Sequence, residues 1–274
     1  MMQPVGIFDS GVGGLSVLRA IRQILPSLPV IYVADQAHVP YGPRSLEEVR
    51  AFSEGVTRFL LSQNCQMVVV ACNAASAAAL THLRRRFPQT PFVGMEPAVK
   101  PAAEQTLSGQ VGVLATPATF QGALYASVVE RFARGVVLYQ DTCPGLVGQI
   151  EQGALDAPET RAILEKALQP MLIGGIDVVV LGCTHYPFVI PLIQQICGPQ
   201  VRVIDPAPAV ARQVQRLLNG AVRQDDPSPQ LRFYTSGAPE KMAALLPNLL
   251  GETHPVGQLH WDGLTLSEGD TKHS

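Results

Sequence analysis

The segments VVVACNAAS (68–76) and VVVLGCTHY (178–186) resemble each other, with Cys72 aligned on Cys183. In each segment a run of β-branched residues ends at the cysteine, and a polar residue follows, Asn73 in the first and Thr184 in the second. Short apolar runs of this kind are typical of buried strands. The pair therefore predicts a duplicated strand with a thiol at each carboxyl end. Two thiols that face one pocket could act as an acid–base pair.

The repeat extends over most of the chain. Buried strands of any α/β protein resemble one another, but that explanation does not account for several matches in the same order. We therefore interpret the sequence as an internal duplication whose unit is about half the chain. The further matching pairs are PVGIFDSG (4–11) with QVGVLATP (110–117), VIYVAD (30–35) with VVLYQD (136–141), and FVGMEPAV (92–99) with VRVIDPAPAV (201–210).

Continuous Val, Ile and Leu strands alternate with helical patterns in both halves, which favours parallel sheets covered on both faces. The predicted fold class is α/β, with two pseudo-symmetric domains, each a mostly parallel sheet flanked by helices. Such sheets bind ligands outside the carboxyl ends of their strands. The polar residues that follow the predicted strands lie at these ends. An active site is therefore expected at the interface of the two domains.

The predicted domains are discontinuous. The first comprises residues 1–96 plus 208–262, and the second comprises 97–207. The segment LRFYTSG (231–237) resembles a strand without a counterpart in the first half, and we expect its region to pack back onto that half. Residues 238–262 are predicted to add a short helix and a loop that ends near Trp261. The segment 263–274 is polar and lacks a core pattern, so it is predicted to be a tail.

Bulk composition excludes several classes of protein. With 274 residues, 47% hydrophobic and 15% charged, the chain can bury a large core, and its formal charge of −2 gives no footprint for nucleic acid. The five cysteines form no CxxC or zinc-type spacing, so reduced thiols in a cytoplasmic protein are expected. The first 14 residues do not resemble a signal peptide, and the apolar runs are strand-sized, so no membrane association is predicted.

No cofactor is expected. GVGG (11–14) matches two glycines of the dinucleotide fingerprint, but Ser16 stands at the third position, although Asp35 lies about where a ribose-binding acid would be. A simpler use of GVGG is a tight turn whose N–H groups meet a ligand carboxylate. Pyridoxal phosphate needs a Schiff-base lysine, and none of the lysines falls at a predicted site. No metal-ligand cluster is evident either.

The candidate catalytic residues each have a structural alternative. Free cysteines are often only packing residues, but Cys72 and Cys183 end strands beside polar residues. His185 could be a hydrogen-bonded loop residue or could tune Cys183. Asp9 could cap a helix or polarise Cys72. Glu151 could be an ordinary acid on a helix surface.

Six segments resemble the glutamate racemases, the cofactor-independent enzymes that supply D-glutamate for peptidoglycan. The resemblance runs from about Val5 to Ala211, with motif order and spacing in agreement throughout. The segments are GIFDSGVGGLSVLRAI (6–21), PYGPRS (40–45), VVVACNAASA (68–77), EPAVKPA (96–102), GVLATPATF (112–120) and VVLGCTHYP (179–187).

The resemblance implies that Cys72 and Cys183 are the catalytic thiols, that Asp9 and His185 assist them, and that Glu151 is a further candidate. The family usually has Thr or Ser at the position of Ala74, so one hydroxyl contact to the substrate is lost here. The substrate contacts that the resemblance implies are Asp9, Ser10, Tyr41, Gly42, Asn73, Ala74, Thr184 and His185, with Thr116 and Thr119 from the second domain.

The resemblance thus implies a cytoplasmic isomerase that interconverts L- and D-glutamate by two-base proton transfer at Cα. It would act in peptidoglycan synthesis, cell-wall biogenesis and cell shape, with glutamate as its small-molecule partner and a homodimer as its expected assembly. A racemase for aspartate or another acidic amino acid is the alternative. A non-catalytic ligand-binding protein, in which the cysteines only pack, is a second alternative, and an added role in protein binding such as gyrase inhibition is a third.

Overall fold

The computed structural model describes residues 2–218 and 230–269. The strands form a seven-stranded sheet and a four-stranded sheet, and helices flank both. The mixed α/β class predicted from the sequence is confirmed. The sequence NGAVRQDDPSPQ (219–230) predicts a loop, and this segment lies almost entirely outside the described residues.

The first half of the chain alternates strand and helix. Its first three strands are buried along their whole length, as their continuous apolar sequences predict. The elements are β1 (Val5–Asp9), α1 (Leu15–Ile24), β2 (Val30–Ala34), α2 (Leu46–Ser62), β3 (Met67–Val70), α3 (Asn73–Arg86) and β4 (Phe92–Gly94).

The second half repeats this alternation with additional short helices. Its strand before Cys183 is again entirely buried. The elements are α4 (Val99–Gln105), β5 (Gln110–Ala115), α5 (Pro117–Gln121), α6 (Ala123–Phe132), β6 (Val137–Asp141), α7 (Leu146–Glu151), α8 (Pro158–Ile173), β7 (Val178–Gly182), a 3₁₀ turn (Tyr186–Val189), α9 (Ile190–Cys197) and β8 (Arg202–Ile204).

The topology reflects the duplication. The first sheet contains the run β2-β1-β3-β4, and the second sheet has the order β6-β5-β7-β8, so each strand of the first run has a counterpart four strands later. All strand pairs within these two runs are parallel. The loops after β3 and β7, which carry the two aligned cysteines, therefore occupy equivalent positions.

The C-terminal segment completes the first sheet. Strand β9 pairs with β2 in parallel, so this segment packs on the first half of the chain, as expected. The domain limits stay a prediction, and the membership of the two sheets is compatible with them. The elements are α10 (Ala207–Leu217), β9 (Leu231–Thr235), α11 (Pro239–Leu250), β10 (Val256–Asp262) and β11 (Thr265–Glu268).

Two details of the C-terminal segment differ from the prediction. Residues 256–262 form strand β10 beside β9, where a loop was expected. Part of the predicted polar tail forms β11, which pairs antiparallel with β10. The strand pattern in 265–268 is too short to see in the sequence, because only Leu266 of this strand faces the core.

Leu266 provides a test of the packing of β11. The side chain is 5% exposed, whereas Ser267 beside it is exposed. Leu266→Ala should lower the free energy of unfolding by about 2–5 kcal/mol, because it leaves a cavity in the core. Ser267→Ala should change it by no more than about 0.5 kcal/mol. Denaturant unfolding of both variants measures this, and an unchanged midpoint for Leu266→Ala would contradict the placement of β11.

Candidate active site

The carboxyl ends of strands from both sheets meet at one cavity. Asp9 ends β1, Cys72 follows β3, Thr116 follows β5 and Cys183 follows β7. Parallel pairing brings these strand ends to one edge of each sheet, and the two edges face each other across the cavity. The lining residues are Asp9, Ser10, Pro40, Tyr41, Gly42, Cys72, Asn73, Ala74, Thr116, Val147, Cys183, Thr184 and His185.

Cys72 stands at the N-terminus of the Ala-rich helix α3. Its Sγ accepts a hydrogen bond from the Ala75 N–H at 3.4 Å, so the thiol also caps the helix. The side chain is buried, and burial together with the nearby Asp9 carboxyl raises the pKa of Cys72 well above its ordinary value. The N–H bond and the helix dipole act in the opposite direction but do not outweigh burial. Cys72 therefore holds its proton at neutral pH.

Asp9 contacts the start of α1 and lies near the Cys72 thiol. Its Oδ2 accepts the Gly14 N–H at 2.8 Å at the start of α1, and the carboxyl lies close enough to Cys72 to raise the pKa of that thiol. Oδ1 has no hydrogen-bond partner among the described residues. Burial raises the pKa of Asp9 above its ordinary value, although His185 and the Gly14 N–H lower it. Asp9 is thus a buried carboxyl that can exchange a proton with a neighbour.

His185 joins Cys183 to Glu151. Its Nδ1 lies 3.7 Å from Cys183 Sγ, and its Nε2 lies 2.6 Å from Glu151 Oε1. Glu151 is not a surface acid, because only 12% of its side chain is exposed. The same Oε1 accepts the Val12 N–H at 2.7 Å. The second thiol therefore has a histidine–carboxylate pair beside it, whereas the first has a carboxyl alone.

The protonation of this pair follows from its contacts. Burial by itself would lower the pKa of His185, but hydrogen bonds to Cys183 and Glu151 raise the pKa well above its ordinary value. Burial would raise the pKa of Glu151, but His185 and the Val12 N–H hold it below its ordinary value. The pair is accordingly an imidazolium and a carboxylate. Both ring nitrogens then donate, one to Glu151 and one to the sulfur of Cys183.

The side chains of Glu151 and His185 pack against the turn GVGG (11–14), in the space that side chains on its glycines would occupy. A Cβ on Gly11 would lie 1.9 Å from Glu151 Oε1, and a Cβ on Gly13 would lie 2.4 Å from His185 Nδ1. The space that a dinucleotide pyrophosphate would need is therefore occupied by protein side chains. The Val12 and Gly14 N–H groups of this turn donate to protein carboxylates. A role of the turn in binding a ligand carboxylate through its other N–H groups stays a prediction.

The remaining predicted contacts surround the thiols. Asn73 is buried, and neither its Oδ1 nor its Nδ2 has a hydrogen-bond partner in the described part of the chain. Tyr41 is oriented by its hydroxyl, which donates to Asp35 Oδ2 at 2.6 Å. Ser10, Gly42, Ala74 and Thr184 line the cavity, and Ala74 presents only a methyl group there. Because buried polar groups are normally hydrogen-bonded, the Asn73 amide is the strongest candidate in the cavity to bind a ligand.

Thr119 lies outside the cavity lining. Its Oγ1 is 3.1 Å from Thr116 Oγ1 and donates to the Gly182 carbonyl at 3.4 Å. Thr119 therefore orients the side chain of Thr116, which does line the cavity, through the hydrogen bond between their hydroxyls. Pro40, in a loop, and Val147, on helix α7, line the cavity but were not predicted, because a single apolar residue gives no sequence signal of a ligand site.

Ser16 also has a role that the sequence did not indicate. Its Oγ donates to the Gly13 carbonyl and the Thr184 carbonyl, each at 2.8 Å. This bond ties helix α1 to the loop that carries Cys183. A serine two residues after a glycine turn gives no signal of a partner 168 residues away.

Within residues 2–218 and 230–269, no group of three His, Cys, Asp or Glu side chains is arranged to hold a metal ion. None of the helices in these residues has both the length and the apolar character that crossing a membrane requires.

Comparison with known proteins agrees with this geometry. Residues 12–214 match the sequence profile described as Asp/Glu/Hydantoin racemase. The chain therefore belongs to this racemase family, a class of isomerases. Its relatives include the glutamate racemase of Pseudomonas aeruginosa, which is 52% identical over 256 residues and covers 93% of this chain and 97% of that protein.

Two crystal structures are similar over nearly the whole chain. Glutamate racemase isoform RacE1 of Bacillus anthracis superposes with a TM-score of 0.85 at 31% identity, covering 96% of this chain and 98% of that one. The Escherichia coli glutamate racemase, in complex with L-glutamate and an activator, has a TM-score of 0.84 at 30% identity, covering 96% and 100%. The two-domain α/β fold is thus shared with glutamate racemases.

Gly13→Ala tests whether the glycine turn is needed for His185. The added methyl should displace the imidazole, and racemase activity should fall by at least about tenfold, because small misplacements of reacting groups are costly. Gly148→Ala is the control, since nothing lies within 4 Å of a Cβ at that exposed position on α7. Full activity of Gly13→Ala would show that His185 tolerates the methyl.

Proposed function

We propose that this chain interconverts L-glutamate and D-glutamate, with Cys72 and Cys183 as the two bases that exchange the Cα proton. The observation that carries the proposal is that these two thiols line one cavity from different sheets. Inversion at Cα removes a proton from one face and returns one to the other. Bases on opposite faces do this without turning the substrate. The identity to glutamate racemases supports glutamate as the substrate.

The charge states define the starting point of one direction. The His185 imidazolium stabilises negative charge on Cys183, while burial and Asp9 keep the proton on Cys72. The Cys183 thiolate takes the Cα proton and becomes a thiol. The Cys72 thiol gives its proton to the opposite face and becomes a thiolate. Protons and charge balance, and the product has the opposite hand.

The reverse direction requires Cys72 to start as the thiolate. Asp9 can accept the proton of Cys72, because its carboxyl lines the same cavity as the thiol and burial raises its pKa above its ordinary value. Cys183 must then start as a thiol. We therefore assign Asp9 to the first thiol and the pair of His185 and Glu151 to the second.

The carbanion formed at Cα needs electrostatic support, because a Cα proton is very weakly acidic. Preorganised donors around the substrate carboxylate provide it most effectively in a site closed to water. Asn73 is the leading candidate, since its buried amide lacks a protein partner among the described residues. Ser10, Thr116 and Thr184 add hydroxyl groups at the cavity. We assign these residues to substrate binding.

We extend the proposal to the supply of D-glutamate for peptidoglycan synthesis in the cytoplasm, as the resemblance to glutamate racemases implies. The function requires no cofactor, because thiols carry the proton in both directions. A homodimer stays a prediction, and analytical ultracentrifugation of the full chain tests it.

Substitution of either thiol tests the two-base assignment. Cys72→Ser and Cys183→Ser should each abolish racemisation of L- and D-glutamate, because a hydroxyl is a far weaker base than a thiolate. Circular dichroism follows the reaction, with L-aspartate run in parallel. Cys197→Ser is the matched control, since Cys197 lies outside the cavity. Near-normal turnover in either active-site variant would contradict the mechanism, and turnover of aspartate alone would contradict the substrate.

Isotope incorporation tests whether the two bases are distinct. In D₂O, the earliest product should carry deuterium at Cα while recovered substrate stays mostly protiated. This follows because the donor thiol exchanges with solvent before the reaction, whereas the acceptor thiol holds the abstracted proton. Mass spectrometry after chiral separation measures both pools. Equal early labelling of the two pools would indicate one exchanging base.

A further inference from the structure

A chain of hydrogen bonds connects strand β9 to Cys183. Thr235 Oγ1 donates to Gln36 Oε1 at 2.8 Å, and Gln36 Nε2 donates to Glu151 Oε2 at 2.8 Å. Glu151 then contacts His185, and His185 contacts Cys183. The chain starts in the first sheet and ends at the thiol of the second. Gln36 is the residue that crosses between them.

The orientation of the Gln36 amide is fixed by its partners. A carboxylate only accepts hydrogen bonds, so the amide nitrogen faces Glu151 and the oxygen faces Thr235. Thr235 is fully buried, and its Oγ1 already accepts the Gly237 N–H at 2.9 Å, so its proton is free for Gln36. A Cβ on Gly237 would lie 2.7 Å from Gln36 Cβ, which shows how closely this side chain is packed.

Gln36 restricts the rotation of the Glu151 carboxyl about its terminal bond. Oε1 holds the Val12 N–H and His185, whereas Oε2 has Gln36 as its donor and no other among the described residues. Without Gln36, the carboxyl can turn about its terminal bond. Such a turn would move Oε1 away from His185 and release the imidazole from its alignment with Cys183.

We propose that Gln36 is a positioning residue of the racemase site: it fixes Glu151 from across the interface and thereby directs His185 at Cys183. The inference rests on the proposed function. It also links catalysis to closure of the site, because Gln36 follows β2 of one sheet and Glu151 ends α7 beside the other. The bond between them exists only when the two units are together.

Kinetics of Gln36→Met test the role in turnover. Methionine has a similar length but neither donor nor acceptor of comparable strength. We expect kcat to fall about 10- to 100-fold in both directions, the range set by loss of one hydrogen bond to a charged group. KM for glutamate should change little, because Gln36 is not among the residues that line the cavity. Gln63→Met is the matched control, a half-buried glutamine that contacts Arg232 outside the site.

A double-mutant cycle separates positioning from a general structural role. If Gln36 acts through Glu151, adding Gln36→Met to a Glu151→Ala background should cause no further loss of kcat. An equal loss in both backgrounds, or an unchanged kcat in the single variant, would overturn the inference.

Alkylation of the resting protein tests Gln36 without relying on glutamate turnover. Iodoacetamide is applied at neutral pH, and peptide mass mapping gives the labelling rate of Cys183 relative to Cys72. Gln36→Met should lower this ratio at least about twofold, because a misaligned His185 no longer favours the reactive thiolate. An unchanged ratio would overturn the inference. Failure of the wild-type chain to racemise glutamate would instead overturn the proposed function, and the ratio would still decide the role of Gln36.

Discussion

The arrangement of the site depends on one buried ion pair, His185 with Glu151, held against a turn of glycines. The pair lies beneath the first sheet's GVGG turn, where side chains on Gly11 or Gly13 would collide with it. Glu151 also receives the Val12 N–H from that turn. Glu151 and His185, which belong to the second unit, therefore pack directly against a turn of the first. Because a buried pair is stable only when its hydrogen bonds are complete, this contact fixes the two units relative to each other.

The duplicated topology gives two equivalent thiols, but their surroundings make them different. Burial of Cys72, together with the Asp9 carboxyl beside it, raises the pKa of this thiol and keeps the proton on sulfur. Cys183 lies beside an imidazolium, since its Sγ is 3.7 Å from Nδ1 of His185. A racemase needs one acid and one base at the start of each turnover. The difference arises from His185. When Cys72 is aligned on Cys183, the first half of the chain has Ala74 at the position of His185.

The C-terminal segment contributes to the site although none of its described residues lines the cavity. Asp35 is buried and accepts bonds from Tyr41, Ser236 and Trp261, so strands β9 and β10 hold the loop that carries Tyr41 and Gly42. The sequence suggested Asp35 only as a ribose-binding acid. It is instead a structural carboxylate, and its hydrogen bonds hold its pKa low despite burial.

The sequence by itself determined the fold class, the duplication and the thiols, because strand periodicity and local motifs depend on neighbours along the chain. It also indicated Asp9 and His185, which stand within three residues of a strand end. Only the tertiary structure decided that Glu151 is buried against His185, that Gly11 and Gly13 make room for this pair, and that Gln36 reaches it. These contacts join residues that are distant along the chain, 34 positions for Glu151 and His185 and more than 100 for the others, and the free energy of such contacts comes from packing that no local pattern records.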